Sequence, residues 1–245
     1  MTDRNPTDSR ELVYQVTDLQ AYRTRFYKHL ARIHRFLQPN TYVEIGVGDG
    51  SSLRLAQPET RRIGIDPNPP GQLATTTACT IFGMTSDEFF DRHNLHAELG
   101  DRPVELALID GMHLFENALR DFINLEQYCA AGAVILIHDC WPVDSLVCSR
   151  VRRTNVWAGD VWKLPECLER YRPDLVIRRF AVRPTGLALV GCLDPGSKHL
   201  ASWLPQIYAE YVPLDFACTR KHVARWEPDE WPSIRTALIE LRRSE

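Results

Sequence analysis

Residues 42–51 read Tyr-Val-Glu-Ile-Gly-Val-Gly-Asp-Gly-Ser, an apolar run of strand length that passes straight into three glycines at alternate positions. Glycines there let the backbone adopt positive φ and approach a ligand where a Cβ would clash. Such a turn belongs at the rim of an open α/β sheet, which holds ligands beyond the carboxyl ends of its strands. The rest of the chain agrees. After the first strand, Tyr42–Val47, apolar runs recur at Arg62–Asp66, Thr77–Phe82, Leu106–Asp110 and Ala133–Asp139, and helical patterns lie between them at Ser51–Ala56, Ser86–His93 and Phe115–Cys129. Segments such as LALID and VILI are apolar on both faces, as parallel strands covered by helices on each side must be. Leu175–Ala181 and Gly186–Leu193 read as an antiparallel pair at one edge. The expectation is an α/β fold with a Rossmann-like, doubly wound, mostly parallel seven-stranded sheet and an antiparallel edge pair. Ahead of it, Glu11–Leu37 carries apolar residues at helical spacing, as one or two helices closed by Pro39-Asn40. Residues 1–39 thus form a helical extension, a cap or a dimer contact, and residues 40–245 one domain.

Charge and cysteine usage exclude several classes. Lys and Arg number 29 against 32 Asp and Glu, a net charge of −3, so no global positive field exists to hold nucleic acid or an anionic membrane surface. Seven cysteines form no C-x-x-C pair, which fits reduced thiols better than a disulfide framework. The polar segment Met1–Arg10 does not resemble a signal peptide, and no apolar run approaches the roughly 20 residues that span a bilayer. A soluble, cytoplasmic protein is expected, with neither nucleic acid nor membrane as partner.

The glycine turn discriminates among ligands. A dinucleotide loop requires G-x-G-x-x-G, whereas here the spacing is Gly46-x-Gly48-x-Gly50, followed by Ser51. Glu44 would repel a pyrophosphate and suits a ligand with a cationic amine, such as the methionine part of S-adenosylmethionine. A plain tight turn with an incidental acid is the competing reading. Asp66 ends the next strand about 20 residues past the loop, where an acid accepts hydrogen bonds from ribose hydroxyls. The third strand leads into Gly83-Met84-Thr85-Ser86. Met84 could pack on adenine and Thr85 or Ser86 could contact its nitrogens, although helix capping suits Ser86 equally.

The EIGVGDGSS loop, the GID strand end and the later IDGMH and HDC segments resemble class I S-adenosylmethionine-dependent methyltransferases. Within them the resemblance, over roughly residues 40–195, is to the group that includes the macrocin-type sugar O-methyltransferases. It implies a methyltransferase domain in which Glu44, Gly46, Gly48, Asp49, Ser51, Asp66, Met84, Thr85 and Asp110 hold the cofactor. It also implies a metal-ligating acid at Asp110, a histidine base at His113 and a homodimer. The fifth-strand pair in those relatives is two acids; here it is His138-Asp139.

The strand ends explain why such chemistry needs these residues. Asp110, His138 and Asp139 close neighbouring strands, and oxygen ligands with one imidazole suit Mg²⁺ or Mn²⁺. A cation would orient a sugar hydroxyl and lower its pKa, with His113 taking the proton and Asp110 and Asp139 completing the catalytic set. Trp157, Asp160 and Lys163 resemble a carbohydrate subsite, or else the packing of a helix start. Arg150, Arg152 and Arg153, with Arg178, Arg179 and Arg183, are solvated faces or substrate-phosphate contacts. The expected activity is methyl transfer to a hydroxyl of a sugar or saccharide. The alternatives are a metal-independent methyltransferase of a phenol or another small hydroxylated metabolite, a non-catalytic module on the same scaffold and, more distantly, a nicotinamide oxidoreductase.

Overall fold

The computed structural model describes residues 16–71, 76–216 and 226–242, with side chains from Arg25 onward. The segment Met1–Arg10, the start of the N-terminal helical pattern and Cys218 lie outside the described residues. Among the described residues there are seven strands: β1 (Thr41–Ile45), β2 (Arg61–Ile65), β3 (Cys79–Phe82), β4 (Val104–Ile109), β5 (Cys129–His138), β6 (Val176–Phe180) and β7 (Leu187–Gly191). They form one sheet in the order β3-β2-β1-β4-β5-β7-β6. The first five run parallel, while β7 is antiparallel to both β5 and β6. The expected architecture is thus present, including the edge pair.

The described helices are α1 (Val16–Leu37), α2 (Ser86–Arg92), α3 (Leu95–Glu98), α4 (Phe115–Glu126), α5 (Lys163–Tyr171), α6 (His199–Ser202), α7 (Leu204–Tyr211) and α8 (Trp231–Arg242). Among the described residues one helix, α1, precedes the sheet, within the one or two expected. The segment expected as a helix at Ser51–Ala56 holds only a 3-10 turn at Leu53–Leu55. Gln57 precedes Pro58, and a residue before proline is steered out of the α region. β5 starts at Cys129, four residues ahead of the expected Ala133, and its pairing with β4 shifts register between Val104 and Leu106.

The period of two along a strand sends alternate residues to opposite faces. Val43, Ile45, Ala107, Ile109, Ile135 and Ile137 meet α2, α4 and α5 on one face. Tyr42, Leu106, Leu108, Val134 and Leu136 meet Phe26, Leu30 and Ile33 of α1 and Ile234, Ala237 and Leu238 of α8 on the other. The N-terminal helix is therefore part of the core. α4 follows the helical rule, with Phe115, Ala118, Leu119, Phe122 and Leu125 all buried; each of its large side chains contributes about 1.5–3 kcal/mol by leaving water.

The chain begins at β1, steps outward to β2 and β3, then crosses back to β4 beside β1. A crevice must open between β1 and β4 where the winding reverses. The glycine turn, the Asp110 segment and the His138-Asp139 pair all lie at this rim.

Candidate active site

The glycine turn packs onto the exit of β4. The Gly46 amide donates to Ile65 O at 2.9 Å. Gly46 has φ +87°, and a Cβ there would lie 2.0 Å from the Asp110 carbonyl oxygen, so only glycine lets the two strand ends touch. Gly48 differs, because nothing lies within 4 Å of a Cβ built on it. Its amide donates to Asp66 Oδ2 at 2.9 Å, and Asp66 Oδ1 accepts from the Asn68 amide at 2.7 Å. Asp49 Oδ1 accepts from the Ser51 amide at 2.9 Å. Each Asp66 oxygen keeps a lone pair, so this open cradle fits a ribose.

Glu44, expected to face a cationic amine, is instead fully buried. Strand parity turns it toward α1, together with Tyr42. It accepts hydrogen bonds from Tyr42 Oη at 2.7 Å and Ser52 Oγ at 2.5 Å. Burial pushes its carboxyl up to about 8, against the lowering effect of those two donors. Glu44 braces the turn from behind.

Thr85 is the N-cap of α2, in a capping box with Glu88. Its hydroxyl accepts from the Glu88 amide at 3.2 Å and meets the Glu88 carboxylate at 3.0 Å, so its polar capacity is used locally. Met84 packs against the core beside it. Thr85→Ala is expected to lower stability by about 1 kcal/mol, a Tm drop of roughly 2–4 °C in a thermal melt. Affinity for S-adenosylhomocysteine should stay unchanged; a drop of about tenfold or more would mean that the hydroxyl reads the cofactor.

At the ends of β4 and β5 four titratable side chains converge. His138 Nδ1 donates to Asp110 Oδ1 at 2.9 Å. His113 Nδ1 lies 2.6 Å from Trp157 O and 3.0 Å from Asp139 Oδ2, and its Nε2 is 3.6 Å from Asp110 Oδ1. Asp110, His113 and Asp139 each offer a ligand atom within 4.8 Å of the others. Burial disfavours charge on His113, but Asp139 and Asp110 outweigh it and lift the imidazole to about 9. His138 is raised against the same burial cost by Asp139 and Asp110. Asp110 is held well below its ordinary value despite burial, mainly by His138 and His113. As the site stands, imidazolium charge balances the two carboxylates.

His138, expected as a metal ligand, has its Nδ1 committed to Asp110, its Nε2 3.5 Å from Thr185 Oγ1 and its ring stacked on Phe26 of α1 at 4.0 Å. It orients Asp110. His113 joins the two carboxylates in its place. His113 and Asp139 also adopt φ of +54° and +58°, strained values for non-glycine residues that persist where the surroundings enforce them. Part of that enforcement is Gly159, where a Cβ would fall 1.7 Å from the His113 carbonyl oxygen.

The segment 157–163 only partly meets its expectation. Trp157 stacks on His113 at 5.2 Å and donates through Nε1 to Ser149 O at 2.6 Å. Asp160 and Lys163, expected to face a saccharide, are buried with 2% and 1% exposure. Lys163 Nζ donates to Asp160 Oδ2 at 2.7 Å and to Val212 O at 3.0 Å; Asp160 also accepts from Arg150 and from the Phe115 amide. A buried charge needs such partners, so this pair ties the start of α4 to α5. Arg150 further pairs with Glu116, Arg178 with Glu227 and Arg179 with Glu166 and Glu169, which makes these arginines structural struts.

One residue escaped the sequence reading. Asp121 sits on the apolar face of α4, 2% exposed, and lines the crevice with Asp110, Gly111 and His113. Its signal was a charge at a core position of an amphipathic helix.

A doubly wound parallel sheet with a glycine turn at its switch point and polar groups on the adjoining strand ends is the class I methyltransferase fold. Residues 43–140 match the family model described as "Methyltransferase domain". No curated protein matches it by sequence. Among solved structures, cofactor-bound Rv0187 from MTB shares the fold at 17% identity and a TM-score of 0.51, covering 77% of this chain and 98% of that one. The O-methyltransferase TomG from Streptomyces achromogenes matches at 16% identity and a TM-score of 0.49, over 67% and 78%. MycE of the mycinamycin biosynthetic pathway, in complex with Mg and SAH, matches at 18% and 0.46, over 67% and 47%. Among the described residues no helix is long and apolar enough to cross a membrane.

Proposed function

We propose that this chain transfers the methyl group of S-adenosylmethionine to a hydroxyl of a sugar or saccharide, assisted by Mg²⁺ or Mn²⁺. The observation that carries this reading is the convergence of Asp110, Asp139 and His113 beside the glycine turn. Two carboxylates form a donor pair that fits a hard divalent cation, and the imidazole beside them is left to take a proton. Asp110 and Asp139 would hold the cation, with His138 orienting Asp110. When bound, the two groups supply a methyl on a sulfonium and a lowered pKa for the hydroxyl. Asp66, the Gly48 backbone, Asp49 and Ser51 hold the nucleoside and the start of its chain, which aligns donor and acceptor for in-line displacement.

His113 accepts the hydroxyl proton through Nε2, since Nδ1 is tied to Trp157 O. It does so only as neutral imidazole, a form favoured by positive charge brought into the crevice. Trp157 against His113 and Met112, 62% exposed, supply apolar surface for the acceptor. α1 acts as a cap behind the site through Phe26, and a homodimer in the cytoplasm belongs to the same reading. A metal-independent enzyme is favoured by one observation: both carboxylates already have imidazole partners.

Calorimetric titration with S-adenosylhomocysteine, with Mg²⁺ and with a chelator, separates these readings. Binding at roughly micromolar strength is expected, about −8 kcal/mol, with heat from Mg²⁺ alone that Asp139→Asn abolishes. Cofactor binding without any Mg²⁺ heat would favour the metal-independent enzyme. No cofactor heat in either condition would overturn the assignment.

A further inference from the structure

We propose that Asp160 is a positioning residue for His113: its backbone amide and its carboxylate together clamp the 113–115 segment and hold the imidazole beside Asp110 and Asp139. The inference rests on the reading of His113 as the group that takes the acceptor's proton.

The segment 157–160 meets His113 at its ring face, its Nδ1 and its carbonyl oxygen. Trp157 stacks on the ring at 5.2 Å, and its own carbonyl oxygen lies 2.6 Å from Nδ1. The Gly159 backbone comes so close that a Cβ there would fall 1.7 Å from the His113 carbonyl oxygen. The Asp160 amide donates to that same oxygen at 3.2 Å. Two residues beyond His113, the Phe115 amide donates to Asp160 Oδ1 at 2.8 Å. Asp160 thus holds both ends of a short stretch whose first member sits at φ +54°. A non-glycine residue keeps such a conformation only where its surroundings over-determine it.

Helix α4 shows why a carboxylate is needed at this point. Its N-cap is Leu114, which makes no side-chain cap, so the first amide of the helix would lack a partner. Asp160 supplies one from 45 residues further along the chain, with negative charge at the positive end of the helix dipole. The carboxylate is itself fixed. Oδ2 accepts from Lys163 Nζ at 2.7 Å and from Arg150 Nη1 at 2.5 Å, and Lys163 Nζ also donates to Val212 O at 3.0 Å. A buried ion pair adds little net stability over apolar packing. What this one provides is a fixed direction for Oδ1, and through it a fixed place for His113. A cap that only stabilised the helix would leave His113 unmoved in the folded protein when lost; a clamp would release it.

The test reads the His113 ring directly, by NMR of the full chain with isotope-labelled histidines. The spectrum of His113→Gln assigns its signal. Stacking on an indole displaces ring-proton signals upfield, so the wild-type signal should lie apart from those of exposed histidines. In folded Asp160→Ala, below its Tm, that displacement should be lost, while the signals of His93 and His96, assigned in the same way, stay in place. Leu238→Ala, a truncation in the core contact of α8, should lower the Tm and leave the His113 signal unmoved. An unmoved His113 signal in Asp160→Ala, or one moved as far by Leu238→Ala, overturns the proposal. If Asp160→Ala does not fold, hydrogen exchange in wild type decides. The Phe115 and Asp160 amides should exchange at least about 100-fold more slowly than unbonded ones, and fast exchange at either overturns the clamp. Titration of wild type with S-adenosylhomocysteine keeps the two readings apart. Binding, together with an unmoved His113 signal in the variant, rejects only the clamp. No binding rejects the reaction that His113 would serve, and this inference with it.

Discussion

Glu44→Gln is expected to remove a large pH dependence from the stability of this protein and to leave cofactor binding nearly untouched. Glu44 is fully buried, and its carboxyl titrates at about 8 in the folded chain against 4.5 as its ordinary value. Below the ordinary value both states hold the proton and the group is neutral toward stability. Between about 4.5 and 8 the unfolded chain releases the proton while the folded chain retains it. Stability then falls by about 1.4 kcal/mol for each pH unit, and above 8 the loss is complete. Glutamine has the same shape, can engage Tyr42 and Ser52, and never ionises. The difference in unfolding free energy between variant and wild type should therefore grow by about 3–5 kcal/mol from pH 5 to pH 8.5, with the variant the more stable at the alkaline end. Urea denaturation at the two pH values measures it, and parallel behaviour would show that the carboxyl is not a buried neutral acid. Affinity for S-adenosylhomocysteine should change by less than about threefold, because the carboxyl lies behind the turn.

Gly46→Ala tests the opposite side of the same turn. The added Cβ would meet the Asp110 carbonyl oxygen at 2.0 Å and its carbon at 2.5 Å, both rigid backbone atoms. At φ +87° the alanine is strained before any clash is counted. The expected loss is at least about 3–4 kcal/mol, a Tm drop of roughly 8 °C or more. The displaced strand ends should also weaken S-adenosylhomocysteine by at least about 100-fold. Gly48→Ala is the control, since its Cβ enters open space and only the backbone term of about 1–2 kcal/mol remains. Equal effects of the two substitutions would show that the contact between the turn and β4 carries no special weight.

Much of this architecture was legible in short stretches of sequence. The apolar runs place β1, β2, β4 and the β6–β7 pair within one or two residues, because alternation and turn residues are local properties. The positions of Asp66, Asp110, His113 and Asp139 at the rim were legible because each closes or follows a strand whose end must lie there. Roles were less legible than positions. His113 and His138 look alike as residue types; only the stacking of Phe26 and the carbonyl of Trp157, each tens of residues away, assigns one to orient Asp110 and the other to join the carboxylates. Asp160 and Lys163 read as polar groups beside tryptophans, and their burial against Val212 and Arg150 depends on how α5 and the following chain pack. Asp121 is a single acid in an apolar helix face until α4 docks at the crevice.

The sequence by itself determined the fold class and which residues close the strands where a doubly wound sheet holds its ligand. These follow from backbone sterics and from periodicity over a few residues. The tertiary structure alone decided which side Glu44 faces, which histidine meets which carboxylate and which charges are locked inside. Those choices depend on burial and on Coulomb interactions between groups far apart in the chain, and neither is a property of any local run of residues.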